Sequence, residues 1–154
     1  LGVYALSKER GSKFMEDYLR AYTGRVHYWP LLEKEQLYPI VRHALAVVLP
    51  SRIDNYPNTC LEAQHFGKIV IGTKASSLEE MVSPGRTGFL ADNGSFESLR
   101  GAILKLLSMA PEERVRMESQ VTEDAGKRSP KKAIDDLLEY YEKIIQYHRT
   151  ASEC

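Results

Sequence analysis

Apolar positions change their period several times along this chain, and each change marks a separate element. Residues 44–49 (ALAVVL) are continuously apolar and β-branched towards their end, and Pro50 and Ser51 stop the run. Such a run suits a strand buried on both faces, as in a parallel sheet. Ile69, Val70 and Ile71 repeat the pattern within residues 68–72. Between the two runs, Pro57, Asn58 and Thr59 supply start signals for a helix that stops near Gly67. A strand, a helix and a strand with short connections make a βαβ unit, and ligands of such units collect at the carboxyl ends of the strands. Residues 51–59 lie at that end.

Further strands are expected at residues 1–6 (LGVYAL), 26–29 (VHYW, closed by Pro30) and 87–90. Phe14, Met15, Tyr18, Leu19 and Tyr22 recur at helical spacing, and so do Leu37, Ile40, Val41 and Ala44. A short helix is expected over 77–82, where Ser77 and Glu80 have the spacing of a capping box. Pro84 and Gly85 make a turn, and Phe96, Leu99, Ile103, Leu106 and Leu107 mark one more amphipathic helix. Strands alternating with helices as far as Leu90 predict an α/β fold with a Rossmann-like parallel sheet and flanking helices. Beyond it the tail is helical. Residues 112–127 are mostly polar with few apolar anchors, and Ser129 and Pro130 open a last helix striped with Ile134, Leu137, Leu138, Tyr141, Ile144 and Ile145. The expected division is a sheet domain over 1–108 and C-terminal helices over 109–154.

Composition narrows the function classes. A chain of 154 residues is one domain or part of a larger one. Lys+Arg and Asp+Glu balance at 21 each, so no global field favours nucleic acid or an anionic membrane. No apolar stretch approaches the ~20 residues that span a bilayer, and nothing reads as a secretion signal. Cys60 and Cys154 lie far apart, without paired metal-ligand spacing, so a reduced, cytoplasmic setting is the default. The chain opens on Leu1, already strand-like and not a methionine, which gives the expectation of a truncated start.

Candidate chemistry concentrates in residues 52–62. Asp54 in the loop and Glu62 on the first turn of the helix are separated by seven residues. Acids at a strand's carboxyl end can accept hydrogen bonds from sugar hydroxyls. The amides of Asn58, Thr59 and Cys60 can donate to phosphate, and the helix dipole favours an anion there. A ligand with phosphates between two hydroxylated rings fits that layout. Thr59 to Glu62 also has the spacing of a capping box, worth ~0.5–2 kcal/mol for the cap, and spacing alone leaves both readings open. Arg52 is open in the same way, to phosphate or to solvent. His27, His43, His65 and His148 show no metal-ligand or triad spacing and read as structural or exposed.

Several signals in one order then form a pattern. Pro50-Ser51, Asp54, Pro57-Asn58, Glu62-Ala63, Gly67-Lys68-Ile69-Val70, Glu80-Met81-Val82 and Gly85-Arg86-Thr87-Gly88-Phe89-Leu90 follow one another within residues 50–94. This stretch resembles the donor-binding region of GT-B glycosyltransferases of the large retaining family 4. The likeness covers residues 1–107 in element order and is specific between Val48 and Asp92. It implies the C-terminal half of a GT-B architecture that binds a nucleoside diphosphate sugar and passes the sugar to a glycan or lipid-linked acceptor with retained configuration. Asp54 and Glu62 fall on the family's two-acid motif and become the catalytic pair, Asp54 near the transferred sugar and Glu62 on the nucleotide ribose. Ser51 and the amides of Asn58, Thr59 and Cys60 join the donor-binding set, and Trp29, Pro30 and Leu31 would flank the base. The departing diphosphate is expected to be stabilised by positioned donors and not by a metal, and no cofactor is implied. Envelope polysaccharide or glycolipid synthesis, and peripheral association of the whole protein with a membrane, are settings common in the family.

The chain also departs from the pattern. Asp54 stands where glutamate is usual, Gln64-His65 replaces small residues, Ile69 replaces proline, and Ser76-Ser77 replaces a glycine pair. The family's early Arg and Lys-Gly pair, which bind the diphosphate, have no counterpart at the right spacing, since Lys8 to Gly11 resembles them only superficially. The acceptor-binding first domain is missing from the residues present, so this chain is not expected to catalyse transfer alone. In the resembled fold the terminal helices cross back to that first domain, so an exposed aromatic stripe with Tyr140, Tyr141 and Tyr147 would mark a lost partner. Cys60 reads as a packed side chain in family terms and as a thiol of lowered pKa from its place at a helix start. Against the enzyme stands a non-catalytic α/β module that binds a nucleotide or a protein. A flavodoxin-like regulatory domain is disfavoured, because residues 1–7 bring no acids to the end of the first strand.

Overall fold

Parallel strands and flanking helices make up the α/β fold. The computed structural model describes residues 3–6, 24–29, 32–128 and 130–152. The chain divides between His43 and Ala44 into two compact units. In the first, β1 (Val3–Leu6) runs parallel to β2 (Val26–Trp29), with Val3 opposite Val26 and Leu6 opposite Trp29. Helix α1 (Lys34–His43) follows. The helix expected from Phe14 to Tyr22 lies outside the described residues.

The second unit is built on a three-stranded parallel sheet, with β3 (Ala46–Val48), β4 (Ile69–Thr73) and β5 (Gly88–Ala91) in the order β3-β4-β5. Alternation along β4 explains why all five of its residues are buried. Val70 faces a cluster with Cys60, Ala63, Leu78, Met81 and Val82. Ile69 and Ile71 face the opposite cluster, with Phe89, Leu106 and Met117. Helices α2 (Asn58–His65) and α3 (Leu78–Met81) supply the first cluster, and α4 (Phe96–Ser108) and α5 (Pro111–Gly126) the second. The most deeply buried strand of this sheet is therefore β4. The run 44–49, read as a strand buried on both faces, forms the shorter β3, which is only half-buried, with Val48 39% exposed. Among the described residues β3 pairs with β4 alone.

The helix starts follow local chemistry. Ser95 caps α4 by accepting from the Ser98 N–H at 3.1 Å. Pro111 opens α5, and the Glu113 carboxylate accepts the Ala110 N–H at 3.3 Å. The polar sequence of α5 keeps two anchors, Met117 and Val121, in the core. Gly67 ends α2 at φ +68°, and a Cβ there would stand 2.8 Å from Thr122 Oγ1 on α5. Only glycine supplies that turn at that distance. Helix α6 (Pro130–Ser152) closes the chain, and its apolar stripe is uncovered, Ile134, Leu137, Leu138, Tyr141, Ile144 and Ile145 being 36–57% exposed. Among the described residues no helix is long and apolar enough to cross a membrane.

Candidate functional site

The Leu49 N–H still pairs with Ile71 O at 2.8 Å, and the chain then leaves the sheet as a loop over 51–57. Pro57, extended at φ −65° and ψ 126°, is the N-cap of α2, and no side chain caps the helix. The capping-box alternative for Thr59 and Glu62 is therefore not realised, because the helix begins before Thr59. The Cys60 N–H donates to Pro57 O at 3.0 Å and the Leu61 N–H to the same oxygen at 3.5 Å. Asn58 and Thr59 are exposed, and their amides carry no hydrogen bond among the described residues. They stand at the positive end of the α2 dipole.

Side chains from the neighbouring strand ends hold the loop. Among the described residues, 51–56 make no backbone–backbone hydrogen bond. Thr73 Oγ1, at the end of β4, donates to Ser51 O. Asn93 Nδ2, just past β5, donates to Arg52 O at 2.7 Å. Ser77 Oγ donates to Asp54 O at 3.1 Å and accepts from the Tyr56 N–H at 2.6 Å. Asp54 Oδ1 accepts the Asn55 N–H at 2.9 Å, which leaves its second oxygen for another donor. The strand ends are themselves joined, since the Lys74 N–H bonds Ala91 O at 2.8 Å and Lys74 Nζ lies 2.7 Å from Asp92 Oδ1. The hydrogen bond and charge of Lys74 hold the Asp92 carboxyl below its usual range.

Ser77 was expected to cap α3 through a box with Glu80. Its side chain makes no cap hydrogen bond and turns to the 54–56 backbone instead. Thr73 and Asn93 hold the candidate loop without having been singled out from the sequence, and Ser77, noted there as one of a serine pair in place of glycines, holds it too. A usable signal was present, since hydroxyl and amide side chains follow two adjacent parallel strands at their carboxyl ends.

Beneath the loop, Cys60 is fully buried against Val70 and Met81. Burial pushes its thiol up to about 11; the Arg128 guanidinium opposes the rise and the Asp54 carboxylate adds to it. This excludes the low-pKa reading. A raised pKa makes the neutral thiol's contribution to stability complete below the unfolded value near 9 and lost as pH climbs through about 11. At pH 8, iodoacetamide is expected to leave Cys60 unmodified in the folded protein and to alkylate it in denaturant, as read by peptide mass spectrometry. Rapid native alkylation would contradict the packing.

One turn further along α2, Gln64 is buried and donates from Nε2 to Met81 O at 2.6 Å. Arg128 NH1 donates to Gln64 Oε1 at 2.7 Å. The glutamine thus ties α2 to the segment between α5 and α6, a role small residues cannot fill. Glu62 is half-buried on α2, and Ser51 and Asp54 are half-buried in the loop. Ser51, Asp54, Asn58, Thr59, Cys60 and Glu62 thus lie on the loop and the helix that follow β3. Trp29 belongs to the other unit, where its ring stacks on His27 at 6.3 Å. Pro30 and Leu31 lie outside the described residues. Among the described residues no three His, Cys, Asp or Glu side chains gather where they could hold a metal ion.

The second unit is thus a parallel α/β unit with acids and open helix-start amides at its strand ends, and comparison with known proteins gives its family. Residues 12–124 match the family Glycosyl transferases group 1, and the chain belongs to it. It is 28% identical over 110 residues to the D-inositol 3-phosphate glycosyltransferase of Corynebacterium urealyticum, a match covering 71% of this chain and 26% of that enzyme. The chain thus spans about a quarter of the length of that relative. Among solved structures, Anabaena HepE in complex with UDP superposes with a TM-score of 0.70 at 18% identity, over 93% of this chain and 41% of HepE. The C-terminal domain of the group 1 glycosyl transferase LpcC from Francisella tularensis gives 0.66 at 18% identity, over 75% of this chain and 60% of that domain. The fold is that of the C-terminal GT-B domain, as the motif order implied.

Proposed function

We propose that this chain is the donor-binding part of a retaining glycosyltransferase of hexosyltransferase type, moving a sugar from a nucleoside diphosphate sugar to a glycan or lipid-linked acceptor. The observation that carries the reading is the joining of an acid-bearing loop to two open helix-start amides at one strand end, in the family's order. In this reading the diphosphate accepts from the Asn58 and Thr59 amides, and the α2 dipole favours its charge. Cys60 has its N–H on Pro57 O and contributes packing beneath the loop. Glu62 accepts from the ribose hydroxyls, and Asp54 from a hydroxyl of the transferred sugar. As the glycosidic bond breaks, negative charge gathers on the departing diphosphate, where oriented amides stabilise it without reorganising.

That HepE was solved with UDP and with UDP-glucose supports these two compounds as probes. The acceptor is assigned to a further domain, in keeping with the 26% of the curated relative that this chain matches. The uncovered stripe of α6 is the surface proposed to meet it. The residues present are then expected to bind donor without transferring sugar, and the whole protein to work on the cytoplasmic side, at or near a membrane that carries the acceptor.

Calorimetric titration of the intact protein with UDP-glucose is expected to give saturable binding, and UDP is expected to compete. A folded protein that takes up neither compound at millimolar concentration would sink the reading. Binding of both without sugar transfer to any acceptor would favour a non-catalytic nucleotide-binding module.

A further inference from the structure

We propose that Ser77 is a positioning residue for Asp54, an inference that rests on the donor-site reading above. The loop over 51–56 has no backbone–backbone hydrogen bond among the described residues, so side chains decide its shape. Among the described residues, three outside the loop reach it. Thr73 and Asn93 each hold a single carbonyl, of Ser51 and Arg52, before the acid. Ser77 alone spans the acid, donating to Asp54 O at 3.1 Å and accepting the Tyr56 N–H at 2.6 Å. One hydroxyl therefore closes a ring through the backbone of Asp54, Asn55 and Tyr56, and it uses both its donor and an acceptor site.

The conformation inside that ring is one the chain does not adopt freely. Tyr56 sits at φ +56°, in the left-handed region that a bulky side chain disfavours. The Tyr56 N–H given to Ser77 is a bond that helps to hold it there. Within the same ring the Asn55 N–H fixes Asp54 Oδ1 at 2.9 Å. The carboxylate's direction is thus set by the backbone that Ser77 clasps. Two departures from the family pattern, an aspartate for the longer glutamate and a serine for glycine, meet at this hydrogen bond. Glycine has no hydroxyl with which to close the ring. The geometry makes the two departures a matched pair: a shorter acid reaches its target only from a loop held in one place.

The amides of Asn58 and Thr59 are outside the ring, so loss of the clasp separates sugar recognition from diphosphate recognition. In the intact protein, Ser77→Ala is expected to lower affinity for UDP-glucose roughly tenfold, the scale of one hydrogen bond, and to change affinity for UDP by less than about twofold. Ser77→Thr, which keeps the hydroxyl, is expected to restore most of the UDP-glucose affinity. Hydrogen exchange provides a readout that needs no ligand, with the Tyr56 amide expected to exchange faster in Ser77→Ala and as in the unsubstituted protein in Ser77→Thr. Unchanged UDP-glucose affinity in a folded Ser77→Ala protein, or equal losses for both compounds, would overturn the proposal and leave the donor-site reading standing. Failure of the unsubstituted protein to bind either compound would overturn both.

Discussion

Gly88→Ala is expected to cost about 3 kcal/mol or more of folding stability, a large share of the ~5–15 kcal/mol that a domain typically holds. Gly88 pairs with Val70 across the parallel ladder between β4 and β5. A Cβ at this position would stand 2.0 Å from Val70 O and 2.8 Å from Val82 Cγ1. The first obstacle is backbone, so no rotamer change relieves it. Nor can β4 retreat, because its side chains are locked into the buried clusters on both faces of the sheet. Gly101→Ala is the matching control. Gly101 lies inside α4, exposed, with nothing within 4 Å of the added carbon. There alanine is expected to stabilise by ~0.5–1 kcal/mol through helix propensity. Urea midpoints of the two variants should move in opposite directions, and a Gly88→Ala midpoint near that of the unsubstituted protein would refute the close approach.

Glu62→Ala is expected to weaken UDP-glucose binding in the intact protein by ~10–100-fold, the loss of hydrogen bonds to a charged acceptor. The α2 start makes this test clean. Because Pro57 is the N-cap and no side chain caps the helix, the substitution should not bring the ~0.5–2 kcal/mol loss of a broken cap. Affinity by calorimetry and stability by urea unfolding, measured on the same sample, separate the two roles. An unchanged affinity would remove Glu62 from the ribose, and a stability loss of cap size without an affinity loss would return it to a structural part.

Most of the architecture is legible in the sequence because its elements are announced by local chemistry. The strand at 26–29, the helix from Phe96, the serine cap before it and the proline starts of the last two helices all depend on residues within a turn of where they act. The helix start between β3 and β4 is legible for the same reason. What escapes is non-local. The half-exposure of β3 is one case, since an apolar run of six residues reads the same whether or not both of its faces are covered. Ser77 has the spacing of a cap, yet its hydroxyl bonds a loop more than twenty residues earlier. Local spacing could not weigh that competitor. Gln64 likewise appears as an odd residue after Glu62-Ala63 until Arg128 is brought against it.

The way the acid-bearing loop is fastened bears on how members of this family diverge. Among the described residues its outside anchors are Thr73, Ser77 and Asn93, and each bonds the loop's backbone, so none depends on which side chains the loop displays. Substitutions within the loop can therefore change the chemistry it offers while its path is kept, and substitutions at the anchors can re-aim an unchanged acid. Under the proposed donor-site reading, donor preference becomes heritable through two separable sets of positions. Proteins that share every ligand-touching residue can still differ in the sugar they select, and the anchors are where that difference would be recorded.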